Sequence, residues 1–238
     1  MTPQIRTFRL PKAGHGEDEY EDAWAVSSSP LRAAVADGAT ESAFARAWAE
    51  QLVRGAVAHG VTGTGALAAV LPTWQAAWAR AVADRLPALP WYAAAKAEQG
   101  AFAALLSLAV APEGTWQALA VGDCCLLHLR DAALVTAWPL DDPAAFSHRP
   151  ALLPSREAGP AAPVETTEGT WHPGDAFLLV TDALAAWLLR SDPAAPLGWT
   201  DADFRRYVDA ARADGTLRND DVTLVRLCLP PARAPRAR

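Results

Sequence analysis

Between Ala101 and Trp138 the chain passes through four apolar segments with almost nothing between them. They are Ala101–Val110, Trp116–Gly122, Cys124–Arg130 and Ala133–Trp138. Each is short for a helix and carries the Leu, Val and aromatic content of a strand. The gaps "APEGT" and "RDA" have hairpin lengths and turn residues. This predicts a meander of antiparallel strands. Some are apolar on both faces, so they are expected to be central and covered. A doubly wound βαβ fold would need strands and helices to alternate throughout, and here they do not.

The flanking segments fit that frame. Asp22–Val26 and Leu31–Ala36 read as a hairpin around "SSSP" that ends at Asp37-Gly38. Phe44, Trp48 and Leu52 then fall four apart, which predicts a helix over Glu41–His59 with Thr40 as N-cap. A second helix is expected over Pro72–Arg85, with Pro72 in its first turn. Residues 139–163, rich in Pro, Ala and charge, read as an irregular surface excursion. A buried strand over Ala176–Thr181, helices over Leu184–Leu189 and Asp201–Ala213, and a last strand over Asp221–Leu229 follow. The whole chain, 1–238, reads as one domain, with 230–238 a frayed Pro- and Arg-rich tail. Sheet packed on sheet with helices outside is the expected architecture.

Bulk chemistry narrows the function. The net charge of −6 and pI near 5.3 argue against a nucleic-acid binder, which would show a basic face. Cys124, Cys125 and Cys228 lack CxxC spacing, so zinc-finger and disulfide frameworks fail. They read as buried strand residues in a reducing compartment. Neither a signal peptide nor a membrane-length apolar stretch is present, so a cytoplasmic location is expected. A cysteine-nucleophile phosphatase would need Arg in a loop after its Cys, whereas "LLHL" follows Cys125.

Four acidic motifs carry the functional signal: Glu21-Asp22, Asp37-Gly38, Asp182 and Asp220-Asp221. Taken singly, each has a plain explanation. Asp-Gly makes turns. Asp182 would cap the helix after it. Asp220-Asp221 fits a loop, and Glu21-Asp22 extends a solvated acidic run. Three of the four sit beside apolar runs, however, and an acid at the end of a buried strand needs a cation or backbone donors. Hard divalent cations such as Mg²⁺ and Mn²⁺ take such carboxylate and carbonyl oxygens, and a pair of them can activate water for attack on phosphorus.

These motifs, in this order, resemble the protein phosphatase 2C-type family of metal-dependent Ser/Thr phosphatases, with the likeness running from about Gly14 to Leu229. Gly100-Ala101-Phe102-Ala103, Gly122-Asp123 and "GDAFLLVTDA" (174–183) add to it. The resemblance implies an α+β fold of four αββα layers, a central antiparallel β-sandwich flanked by helices on both faces. It also implies two Mg²⁺ or Mn²⁺ ions at one end of the sandwich. Asp37 would bridge them, Gly38 would offer its carbonyl, Glu21 would support one ion, and Asp182 and Asp220 would hold the other. Asp37, Asp182 and Asp220 are then the catalytic set, and a water activated between the ions attacks a phosphoserine or phosphothreonine. A phosphoprotein substrate and a cognate Ser/Thr kinase are the implied partners.

The sequence departs from the family pattern at several points. Glu17 stands where a phosphate-holding Arg is usual, leaving Lys12 and His15 as candidate phosphate ligands. Ala183 follows Asp182 in place of Gly, and Ala186 stands where a third-metal Asp would be, so Asp123 could offer only a weak third site. Two other readings stay open on sequence alone. One is a catalytically weak relative that binds a regulatory partner, and the other is a hydrolase of small phosphate esters.

Overall fold

The computed structural model describes residues 2–88, 91–147, 149–157 and 161–231. Two antiparallel sheets pack face to face. The first contains β1 (Gln4–Leu10), β11 (Val222–Cys228), β10 (Ala176–Val180), β6 (Cys125–Arg130) and β7 (Ala133–Trp138), in that spatial order. The second contains β2 (Ala23–Ser28), β3 (Leu31–Gly38), β4 (Phe102–Val110), β5 (Thr115–Val121) and β9 (Glu165–Thr170), with the two-residue β8 (Leu153–Pro154) paired to β4.

Alternation along the strands sorts side chains into three cores. Along β10, Phe177 and Leu179 face the opposite sheet, where with Leu126 and Val225 of their own sheet they pack against Leu106 and Ala118. Leu178 and Val180 face outward and pack on α4 (Asp182–Arg190) and α5 (Asp201–Ala213) through Leu184, Leu188, Phe204 and Val208. On the far side, Ala34, Ala36, Leu105 and Leu119 of the second sheet receive Trp48, Leu52, Trp74 and Trp78. These come from α1 (Ala45–His59) and α2 (Thr64–Ala83). Small alanines on the sheet leave room for large indoles on the helices, which is how the layers interdigitate. Trp48 is fully buried and its Nε1–H donates to the Leu153 carbonyl at 2.8 Å. Truncating such a residue costs about 3–5 kcal/mol. The order is therefore helix, sheet, sheet, helix, as the resemblance implies.

Several expectations change. The meander is split: β4 pairs with β5, and β6 with β7, but β5 and β6 lie in different sheets. The chain crosses between sheets at Gly122-Asp123-Cys124. Gly122 has φ +95°, and a Cβ there would stand 2.7 Å from both the Ala104 Cβ and the Ala151 carbonyl. The crossover is thus what aims Asp123 at the end of the sandwich.

Helix α1 starts at Ala45, four residues later than expected, with Phe44 as its left-handed N-cap. Thr40 is not the cap, because residues 39–42 form a turn tied to β4. The Ala39 N–H donates to the Phe102 carbonyl at 2.9 Å, and Ser42 N–H to the Ala39 carbonyl at 2.9 Å. Helix α2 starts at Thr64 and takes Pro72 into its interior, on the exposed side. Leu67 extends the buried stripe of Trp74, Trp78 and Val82 by about two further turns, which outweighs the proline.

Helix α3 (Trp91–Glu98) and strands β1, β8 and β9 are additional elements. Residues 153–154, inside the expected excursion, form β8, and Leu153 is buried. Of the expected tail, 232–238 lies outside the described residues. Cys124 and Cys125 are buried and Cys228 half-buried, all as free thiols. Among the described residues no helix is long and apolar enough to cross a membrane.

Candidate metal centre

One end of the sandwich carries a solvent-open cleft of about 620 Å³. Asp37 and Gly38 enter it from the end of β3, Asp123 from the crossover, Asp182 from the end of β10, and Asp220 from the loop before β11. Thr40, Ser147, Arg149 and Arg218 line its walls. Acids more than 180 residues apart in sequence thus share one floor. Each sits there for a local reason: a strand ends beside it or, for Asp220, starts just after it, and the chain must turn.

Placement of the sequence-singled residues is uneven. Asp37, Gly38, Asp123, Asp182 and Asp220 all line the cleft. Glu21 lies at its seam and lines an adjoining recess with Phe44, Arg46 and Arg85. A Cβ on Gly38 would come within 2.8 Å of the Glu21 carbonyl oxygen, so only glycine lets these two backbones meet.

The second acid of each pair has a structural role. Asp221 accepts the Lys12 N–H at 2.9 Å and the Glu21 N–H at 2.7 Å, pinning the loop that presents Glu21. Asp22 is buried, and its Oδ2 accepts from Thr181 Oγ1 at 3.0 Å and Thr223 Oγ1 at 2.6 Å. Tyr20 O–H shares a short contact with Thr223.

Of the two expected phosphate ligands, Lys12 reaches the rim, with Nζ 3.5 Å from Thr40 Oγ1. His15 instead pairs with Glu19 at 3.1 Å in the exposed entry loop. Glu17 pairs with Arg9 at 3.0 Å and is not among the cleft-lining residues.

The electrostatics are those of an under-neutralised site. Burial raises the Asp37 carboxyl well above its ordinary range, and Asp22, Asp182, Asp220 and Asp123 raise it further. Burial and the neighbouring Asp182 push Asp123 up to about 7. Burial raises Asp182 despite Arg218 beside it, and burial raises Glu21 despite a hydrogen bond from Thr40. Glu21 Oε2, Asp22 Oδ1 and Asp123 Oδ2 are buried oxygens with no hydrogen-bond partner. Buried acceptors left unmet are costly, and crowded carboxylates repel. Among the described residues no three Asp, Glu, His or Cys side chains are gathered tightly enough to hold an ion as they stand. The donor set is nevertheless all oxygen and acid-rich, which fits a hard divalent cation and no softer metal.

Sequence reasoning missed Arg218. Its Nη2 contacts both Asp182 Oδ2 and Asp220 Oδ2, the latter at 2.7 Å. An Arg two residues before Asp220 was visible in the sequence, but its reach to Asp182 was not.

No curated protein matches the chain. Among solved structures, PppA, a key regulatory component of T6SS in Pseudomonas aeruginosa, is 18% identical with a TM-score of 0.67. That match covers 95% of this chain and 97% of PppA. The Mycobacterium tuberculosis serine/threonine phosphatase PstP/Ppp is 20% identical with a TM-score of 0.67, over 97% of this chain and 100% of that one. The PstP catalytic domain in complex with 2 manganese ions is 20% identical with a TM-score of 0.63, over 96% and 99%. At these identities the likeness speaks to the fold. The sequence model of protein phosphatase 2C matches residues 12–219, most of the chain, and this chain belongs to the protein phosphatase 2C family.

Proposed function

We propose that this chain hydrolyses phosphoserine or phosphothreonine on proteins, using two divalent cations, Mg²⁺ or Mn²⁺, held at the cleft. The observation that carries the reading is the convergence of Asp37, Asp123, Asp182 and Asp220 on one floor with a single cation, Arg218, in ion-pair contact with them among the described residues. Asp37 and the Gly38 carbonyl, supported by Glu21, would hold one ion, and Asp182 with Asp220 the other. Bound there, such cations lower the pKa of water and offset charge on the phosphoryl oxygens.

The chain's own residues do the rest. Asp221 and Asp22 fix the loops that carry Glu21 and Asp182 by accepting N–H and O–H donors. Arg149 and Lys12 stand at the cleft and its rim, where a phosphate dianion would approach. The cleft is open, and an open mouth suits a phosphorylated side chain carried on a macromolecule.

The test compares an aryl phosphate with phosphoserine and phosphothreonine peptides under Mn²⁺, Mg²⁺ or excess chelator. Turnover of both, lost in chelator and restored by metal, is expected. Full turnover in chelator after verified metal removal would sink the mechanism. Activity on small esters without activity on any phosphopeptide would reassign the substrate.

A further inference from the structure

Arg218 stands between Asp182 and Asp220, the two acids read above as holding one of the ions. One guanidinium nitrogen contacts an oxygen of Asp182 and an oxygen of Asp220. A hard cation held by these two residues needs oxygens at about 2.1 Å. It cannot take them while that nitrogen stands between. We propose that Arg218 is an internal counter-ion that competes with the second divalent cation. Its guanidinium and the ion held by Asp182 and Asp220 exclude each other, so this ion binds more weakly than the one on the Gly38 and Glu21 side. This rests on the reading of Asp182 and Asp220 as a metal-binding pair.

The loop is built so that only the side chain need move. Leu217, just before Arg218, is buried, and its N–H donates to the Ala211 carbonyl at 2.9 Å. Asn219, just after it, accepts the Ala13 N–H at 2.7 Å and donates to the Ala13 carbonyl at 3.3 Å. Arg212 donates to the Pro11 carbonyl at 2.9 Å and also holds the Asp220 carbonyl. Backbone on both sides of residue 218 is therefore pinned. The Arg218 side chain is 42% exposed, so rotation toward solvent is open to it. Asp182, at 7% exposed, has no such freedom and stays behind as the ligand.

Charge sets the direction of the exchange. Asp37, Asp123, Asp182 and Asp220 share the floor, and Arg218, the one cation in ion-pair contact with them among the described residues, cannot balance four acids. A divalent ion offsets more charge and frees the guanidinium to be hydrated. When metal is scarce, Arg218 returns and limits the repulsion between Asp182 and Asp220.

The test is Mn²⁺ binding by calorimetry, without substrate, to the wild type, Arg218→Ala, Asp220→Asn and the double variant. Melting in chelator and in saturating Mn²⁺ is measured beside it. The wild type is expected to show a tight and a weak phase. Arg218→Ala should tighten the weak phase by about fivefold, as loss of a competing half-exposed ion pair implies. In chelator Arg218→Ala should melt about 2–4 °C below the wild type. Saturating Mn²⁺ should close that gap. Arg218→Gln, a neutral side chain of similar reach, gives the same comparison should the alanine variant fold poorly.

An unchanged or weakened second phase in Arg218→Ala, with that phase absent from Asp220→Asn, overturns the competition and leaves the metal site standing. Two intact phases in Asp220→Asn place the ions elsewhere, and both readings fall.

Discussion

Strand β10 begins after one buried aspartate and ends at another, and the two have opposite surroundings. Asp175 is closed by the protein itself. It accepts from Arg130 Nε at 2.9 Å and Nη2 at 2.8 Å, from the His172 N–H at 2.9 Å, and from His128 Nε2 at 2.8 Å. Burial alone would raise its carboxyl, yet Arg130, the His172 N–H and His128 hold it well below the usual range. Burial lowers the pKa of His128 itself, and its ring stacks on Phe177 at 4.5 Å. Asp182, seven residues later, meets other carboxylates, and Arg218 only partly offsets them. A buried acid is thus no signature of a site by itself. What marks the site is acid that the fold buries without supplying enough positive charge.

The largest expected effect comes from breaking the acidic end. Asp37→Asn should lower turnover by about 10²–10³-fold, the scale of removing one key electrostatic partner. The same variant in chelator should melt no lower than the wild type, because it removes a repelled charge at a strand end. Near-normal turnover in steady-state kinetics with saturating Mn²⁺ would show that the centre lies elsewhere. In turnover Asp182→Asn and Asp220→Asn should behave alike, with Glu21→Gln milder because Glu21 sits at the seam.

Asp175→Asn should do the reverse. Unpairing a buried ion pair costs about 3 kcal/mol, read as a lower urea midpoint at unchanged slope. Turnover per folded molecule should be retained. An equal loss of turnover and stability would mean that the two ends of β10 are not independent.

The pH dependence separates them further. The Asp175 carboxyl is depressed in the fold, so its contribution is full above its unfolded value of about 4. It is lost as pH falls through the folded value. The stability gap between wild type and Asp175→Asn should therefore be flat above about pH 4 and narrow below it. A gap that instead widens on acidification, followed by thermal melts across the range, would contradict the assignment.

Much of this was legible in the sequence because apolar runs and the acids at their ends are local signals. Leu178 to Asp182 reads as a buried strand meeting a charge with no structure in hand. Polar edge strands are not legible in that way. The strand β9, Glu165–Thr170, carries no large apolar residue, and only its pairing to β5 makes it a strand. Strand β1 alternates charge with apolar residues and is recognised through its register with β11, over 200 residues away. The division of labour within Glu21-Asp22 and Asp220-Asp221 was equally hidden. It depends on Thr181, Thr223 and the Glu21 N–H, which come together only in the folded chain.

The smallest expected effect concerns Glu17. By sequence alone, its replacement of an Arg suggests a lost phosphate ligand that Glu17→Arg would restore. In the fold the Glu17 side chain, 62% exposed, turns its carboxylate to Arg9 at 3.0 Å, while Arg46 Nη1 donates to the Glu17 carbonyl at 2.9 Å. An exposed pair of this kind contributes about 0–1 kcal/mol. Glu17→Arg would place two arginines side by side, and their repulsion would turn the new side chain into solvent. Stability should change by less than about 1 kcal/mol and KM for an aryl phosphate by less than about twofold. A clear fall in KM, at constant metal affinity, would mean that residue 17 reaches the cleft when substrate is bound. The acidic end would then draw part of its cation from a loop that the Asp175 end never needs.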